Sequence, residues 1–125
     1  MLAVLVAASI ANGAPSAFTI IDDVANRRFI LDFQNLGRRP LCLSPLMWPN
    51  EHGFIPLSSA NISVSIELQV FPLDTFIEDC WTCTFKVKPR TTTRAYLNYA
   101  AFKVPDALAT KPKVLHLIPA AVICN

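Results

Sequence analysis

The chain has 125 residues, the size of one ordinary domain, and 53% of them are hydrophobic, enough to bury a core. Eleven basic and nine acidic side chains give a formal net charge of +2. That excludes the basic stripe of a nucleic-acid interface, and Arg38-Arg39 reads as a solvated loop. Plentiful aromatic and β-branched residues argue against disorder.

Residues 1–14, MLAVLVAASIANGA, carry no charge, and Leu2 to Ile10 form an apolar run. The run is too short to span a bilayer, which takes about 20 residues. It matches the apolar region of a secretory leader, followed by small residues suited to cleavage. Processing after Ala14 places Asn12 and Ala14 at the recognition positions. Pro15 and the missing positive segment fit that reading less well. The competing reading is a first strand or helix of the core. We therefore expect a signal peptide over 1–14 and one domain over 15–125, with no stable membrane span.

After residue 15, alternation with period two dominates. Phe18–Asp22 is a strand candidate. Phe29, Leu31 and Phe33 alternate with Arg28, Asp32 and Gln34, and Pro40–Leu43 is a shorter candidate. The clearest run is Ile62, Val64, Ile66, Leu68 and Val70, interleaved with Ser63, Ser65, Glu67 and Gln69. It predicts one strand with a buried and a wet face. Cys83, Phe85 and Val87 alternate with Thr82, Thr84, Lys86 and Lys88; Thr91–Phe102 and Val114–Ile118 complete the set. Prolines punctuate these runs, as a residue without an amide hydrogen must. Only Asp106 to Lys111 reads as a helical turn. About seven short strands predict an all-β fold: an antiparallel β-sandwich with an immunoglobulin-like Greek key, or alternatively a small barrel.

Cys42, Cys80, Cys83 and Cys124 form an even set in a short chain, which reads as a disulfide framework. Four cysteines allow three pairings. We favour Cys80–Cys83 with Cys42–Cys124, because the close pair can meet across a bend before the strand near Thr82. The alternative for Cys80 and Cys83 is thiol–disulfide redox chemistry. A thioredoxin-type CxxC opens a helix, whereas Cys83 leads into an alternating strand. Glu78 and Asp79 just before it disfavour a thiolate. Structural zinc needs a second paired-ligand knuckle, which the chain lacks. Copper through Met47, His52 and a cysteine has no supporting spacing. We expect no cofactor and no metal.

Other signals are weaker. The Trp48–Gly53 loop is the best candidate recognition surface, with Trp48, Asn50 and His52 as its binding residues and a protein or glycan as partner. Its competitor is a Trp48 that folds back to cap the sandwich. His116 sits within a strand. Asn61-Ile62-Ser63 has the form of a glycosylation acceptor. There is no Gly-x-Ser-x-Gly, no phosphate loop and no His-Glu-x-x-His.

Three stretches carry a resemblance: FQNLGRRPLCLSPLMWPNEHGFI (33–55), VKPRTTTRAYLNYAAFKVP (87–105) and the terminal VICN. Together the chain resembles small exported bacterial proteins with an immunoglobulin-like fold. The resemblance implies fold and export, and it transfers no catalytic residue. Where that pattern has a glycine after the proline of the late turn, this chain has Arg90. The expected role is therefore that of a non-catalytic binding or structural module at the cell envelope or outside the cell. The alternative is redox chemistry at Cys80 and Cys83.

Overall fold

The computed structural model describes residues 4–11, 14–55, 62–74 and 85–125. Its strands are β1 (Val4–Ala11), β2 (Ala14–Asp23), β3 (Arg28–Asn35), β4 (Leu41–Leu43), β5 (Ser63–Ile66), β6 (Gln69–Pro72), β7 (Phe85–Val87), β8 (Thr92–Asn98), β9 (Val114–His116) and β10 (Ala121–Ile123). Only short 3-10 turns interrupt them, so the described chain is all-β. The strands form three antiparallel sheets, ordered β1-β2-β3-β8, β10-β4-β7 and β6-β5-β9. Their buried faces share one core cluster.

Alternation sets this arrangement. On β3, Phe29, Leu31, Phe33 and Asn35 point inward, and Arg28, Ile30, Asp32 and Gln34 do not. Phe18 lies opposite Phe33, and Ile20 opposite Leu31, so the inward rows of β2 and β3 align. One step of slippage would expose the whole set, so the register is strongly specified. Leu41, Leu43 and Val87 close the core from the second sheet, with Val64, Ile66 and Leu115 from the third.

β1 falls in the segment expected to be a leader. In the whole chain it pairs along β2 from Val4 opposite Ile21 to Ala11 opposite Ala14. The residues between the paired ends are Asn12-Gly13, the residue pair most favoured in two-residue hairpin loops. Removal of 1–14 would take this ladder with it and leave β2 at the sheet edge.

One strand expectation is corrected. The run from Ile62 to Val70 is a hairpin. β5 and β6 pair Ser65 with Val70 and Ile66 with Gln69 around Glu67 and Leu68. Glu67 takes the left-handed φ of 55° at the turn. The reversal makes Phe71, not Val70, the partner of buried Val64. Leu68 at the tip is fully exposed and Val70 is 64% exposed. Alternation continues through a two-residue turn without a break, so period alone cannot locate it. β10 had no counterpart among the expected strands.

Candidate functional site

The disulfide joins Cys42 on β4 to Cys124 just after β10, with Cα atoms 5.8 Å apart. β10 runs antiparallel to β4, and Cys124 N–H donates to the Pro40 carbonyl at 3.0 Å. This is the long link of the favoured pairing. Cys80, Cys83 and Trp81 lie outside the described residues, as does Asn61 of the glycosylation motif. Cys42 in a disulfide is no thiolate, so it cannot join Met47 and His52 in a copper site.

The loop from residue 44 to 54 does not present the expected surface. Trp48 is 2% exposed and makes edge-on contacts with Phe18 and Phe33, both at 6.2 Å between ring centroids. Its indole is core, which corrects its assignment as a binding residue. Large aromatic rings contribute most when fully buried, and the inward rows of β2 and β3 leave a ring-sized place for it. Asn50 shapes the loop: its Oδ1 accepts from His52 N–H at 2.9 Å and Phe54 N–H at 3.2 Å. Gly53 has φ 84°, and a Cβ there would meet Asn98 Nδ2 at 2.4 Å. Asn98 in turn donates from Nδ2 to the His52 carbonyl and from its backbone to the Gly53 carbonyl. The His52 side chain is exposed, with Nε2 3.4 Å from Glu51 Oε1.

A buried polar cluster was invisible in the sequence, because its members are 22, 99 and 113 residues along the chain. Asp22 occupies an inward position of β2 and is met by Tyr99 and Lys113. Tyr99 donates its hydroxyl to Asp22 Oδ1. Lys113 Nζ reaches Asp22 Oδ2 at 3.2 Å and the Lys111 carbonyl at 2.8 Å, and lies 4.5 Å from the Tyr99 ring centroid. The Lys113 and Asp22 side chains are 0% and 4% exposed. Burial, then the hydrogen bond to Asp22, raises the Tyr99 hydroxyl well above its ordinary range. Both carboxylate oxygens of Asp22 are bonded, one to Tyr99 and one to Lys113, so β2, the turn after β8 and the segment before β9 meet at this pair. It is sealed from solvent, so it is an architectural feature.

The third sheet carries the surface that remains. On its outward face Val70, Ser65 and Val114 stand in one row across β6, β5 and β9. Val114 is 49% exposed, and Ile118 just beyond β9 is 78% exposed. Ser65 Oγ and His116 Nε2 are 2.8 Å apart beside that row. A serine–histidine contact raises the question of nucleophilic catalysis. Here both groups face water, and among the described residues no carboxylate orients the ring as a triad needs. The contact is a cross-strand hydrogen bond on a mixed apolar and polar face. Among the described residues no helix is long and apolar enough to cross a membrane, and no three His, Cys, Asp or Glu gather as a metal site. Comparison with known protein families, curated proteins and solved structures finds no match to this chain.

Proposed function

We propose that the chain is an exported, non-catalytic binding module on an immunoglobulin-like sandwich, working at the cell envelope or outside the cell. The observation that carries the binding role is the outward face of β6-β5-β9. Val70 and Val114 are exposed there beside the Ser65–His116 pair, with Leu68 exposed at the hairpin tip and Ile118 exposed just beyond β9. A group of exposed aliphatic side chains with a few hydrogen-bonding groups is the composition of a protein-contact surface. Export is supported by the Cys42–Cys124 disulfide, since such bonds persist in oxidising compartments. The partner is a protein or a glycan.

Two measurements test this. Cell fractionation with thiol labelling should find Cys42 and Cys124 oxidised in the exported fraction; a reduced cytosolic protein would refute export. A photo-crosslinker at position 114 should capture a partner, and one at Arg94 on the first sheet should not. Equal capture at both positions, or none at 114, would refute the assignment of the face. Amino-terminal sequencing of the exported protein distinguishes a removed leader from a retained β1.

A further inference from the structure

Six of the eleven Lys and Arg residues are paired with carboxylates: Arg27, Arg28, Arg94, Lys103, Lys111 and Lys113. The other five are Arg38, Arg39, Lys86, Lys88 and Arg90. All five are exposed, and none has a carboxylate partner among the described residues. They are scattered over 53 positions in sequence, yet the fold gathers them at one end. The loop 36–40 between β3 and β4 carries two. The turn 88–91 between β7 and β8 carries two more, and Lys86 stands on β7 beside Cys42.

A single buried residue joins the two loops. Asn35, 0% exposed, donates from Nδ2 to the Arg39 carbonyl at 2.8 Å and the Val87 carbonyl at 3.1 Å. Its Oδ1 accepts from Gly37 N–H at 3.0 Å, and its backbone N–H donates to the Thr91 carbonyl at 2.9 Å. The cations therefore stand on a fixed platform, and a partner need not order it. Arg90 has φ 60° in the left-handed region, where glycine would be free of strain. No Asp or Glu occurs in residues 33–50 or 85–105, so neither loop nor its described flanks carries an acidic side chain.

We infer that this end is a docking surface for an anionic lipid bilayer. Unpaired cations near a bilayer are drawn to acidic headgroups. Leu36, at the base of the same platform, is 38% exposed between the strand end and Arg38 and supplies an apolar group for the interface. Neither loop contains an aromatic residue, so bases and sugar rings have no stacking surface there. The inference is independent of the outward face of β6-β5-β9, and the two are tested by different variants.

The test is co-sedimentation of the full, oxidised chain with vesicles of phosphatidylcholine alone or mixed with phosphatidylglycerol. Binding should require phosphatidylglycerol. It should be lost as salt rises from about 0.1 M to about 1 M, which shortens the screening length from about 10 Å to about 3 Å. R38Q/R39Q should lower partitioning about 25-fold, at about fivefold per cation. Leu36→Ser should lower it severalfold without changing the salt dependence. The control K103Q/K111Q removes the same charge from elsewhere and should have little effect. Failure to bind the acidic vesicles at low salt overturns the inference, as does an equal loss in the control. Binding to heparin or single-stranded DNA in preference to the vesicles, unaffected by Leu36→Ser, also overturns it in favour of another polyanion. Each variant is exposed, so an unchanged thermal unfolding midpoint verifies the fold.

Discussion

Replacing Cys42 and Cys124 together by serine removes the link between β4 and the end of the chain. The two cysteines are 82 residues apart. Closing a loop of that length constrains the unfolded chain by about 4.5 kcal/mol, intermediate between the values for short and hundred-residue loops. In the folded state less is at stake. β10 retains its three-residue pairing with β4, and the backbone bond from Cys124 to Pro40 needs no sulfur. The double variant should therefore lose about 4.5 kcal/mol in urea unfolding, or about 15–20 °C in thermal midpoint. Hydrogen exchange should show the amides of β10 opening well before those of β3. A double variant within about 1 kcal/mol of the parent would refute loop closure as the source of the stabilisation. It would mean that the unfolded chain is already constrained near these positions.

Four further outcomes are expected. Lys113→Met leaves the Asp22 carboxylate buried without its cation and should cost about 3–5 kcal/mol, with Asp22→Asn added to it restoring part of the loss in the same urea titration. Tyr99 keeps its proton in the folded chain and surrenders it near pH 10 when unfolded. Its contribution is whole below that pH and declines above it, by at most about 1.4 kcal/mol per pH unit, and Tyr99→Phe should flatten this slope in unfolding measured from about pH 9 to about pH 11. Trp48→Ala should cost about 3–5 kcal/mol by calorimetry, and a loss below about 1 kcal/mol would contradict its place in the core. Gly53→Ala should cost about 2 kcal/mol or more, from the left-handed φ and the displaced Asn98 side chain, and the His52 and Gly53 amide signals should shift in its NMR spectrum.

β2, β3 and β8 were legible because apolar and polar residues alternate along them, as at Phe29, Leu31 and Phe33. Asn12-Gly13 was an equally direct hairpin signal, obscured by the apolar run before it that also fits a leader. The Ile62–Val70 run misled for a physical reason. A two-residue turn preserves the alternation of residue types, while folding the second half back to a new set of partners. Trp48 sits in a stretch rich in proline with no period, so nothing local distinguished an exposed indole from a buried one. Its fate was set by the space between Phe18 and Phe33, which are 15 or more residues away in sequence.

The candidate surfaces were legible in different degrees. His52 and Asn50 were visible as loop residues, and the structure leaves the histidine exposed while committing Asn50 to the loop backbone. The exposed row on β6-β5-β9 could not be seen, because Val70 read as core until the hairpin placed it on the wet face, and nothing local set Val114 of β9 beside it. The basic end was hidden for a related reason, since Arg38-Arg39 alone is a common solvated pair.

By itself the sequence determined the strand-rich composition, the buried rows of the long strands, and a cysteine set suited to disulfides. These are local properties, set by side-chain alternation and residue chemistry. Only the tertiary structure decided that Asp22, Tyr99 and Lys113 meet, that Cys42 faces Cys124, and that five unpaired cations share one end. Each depends on which strands lie side by side, and that is fixed by the packing of the whole core.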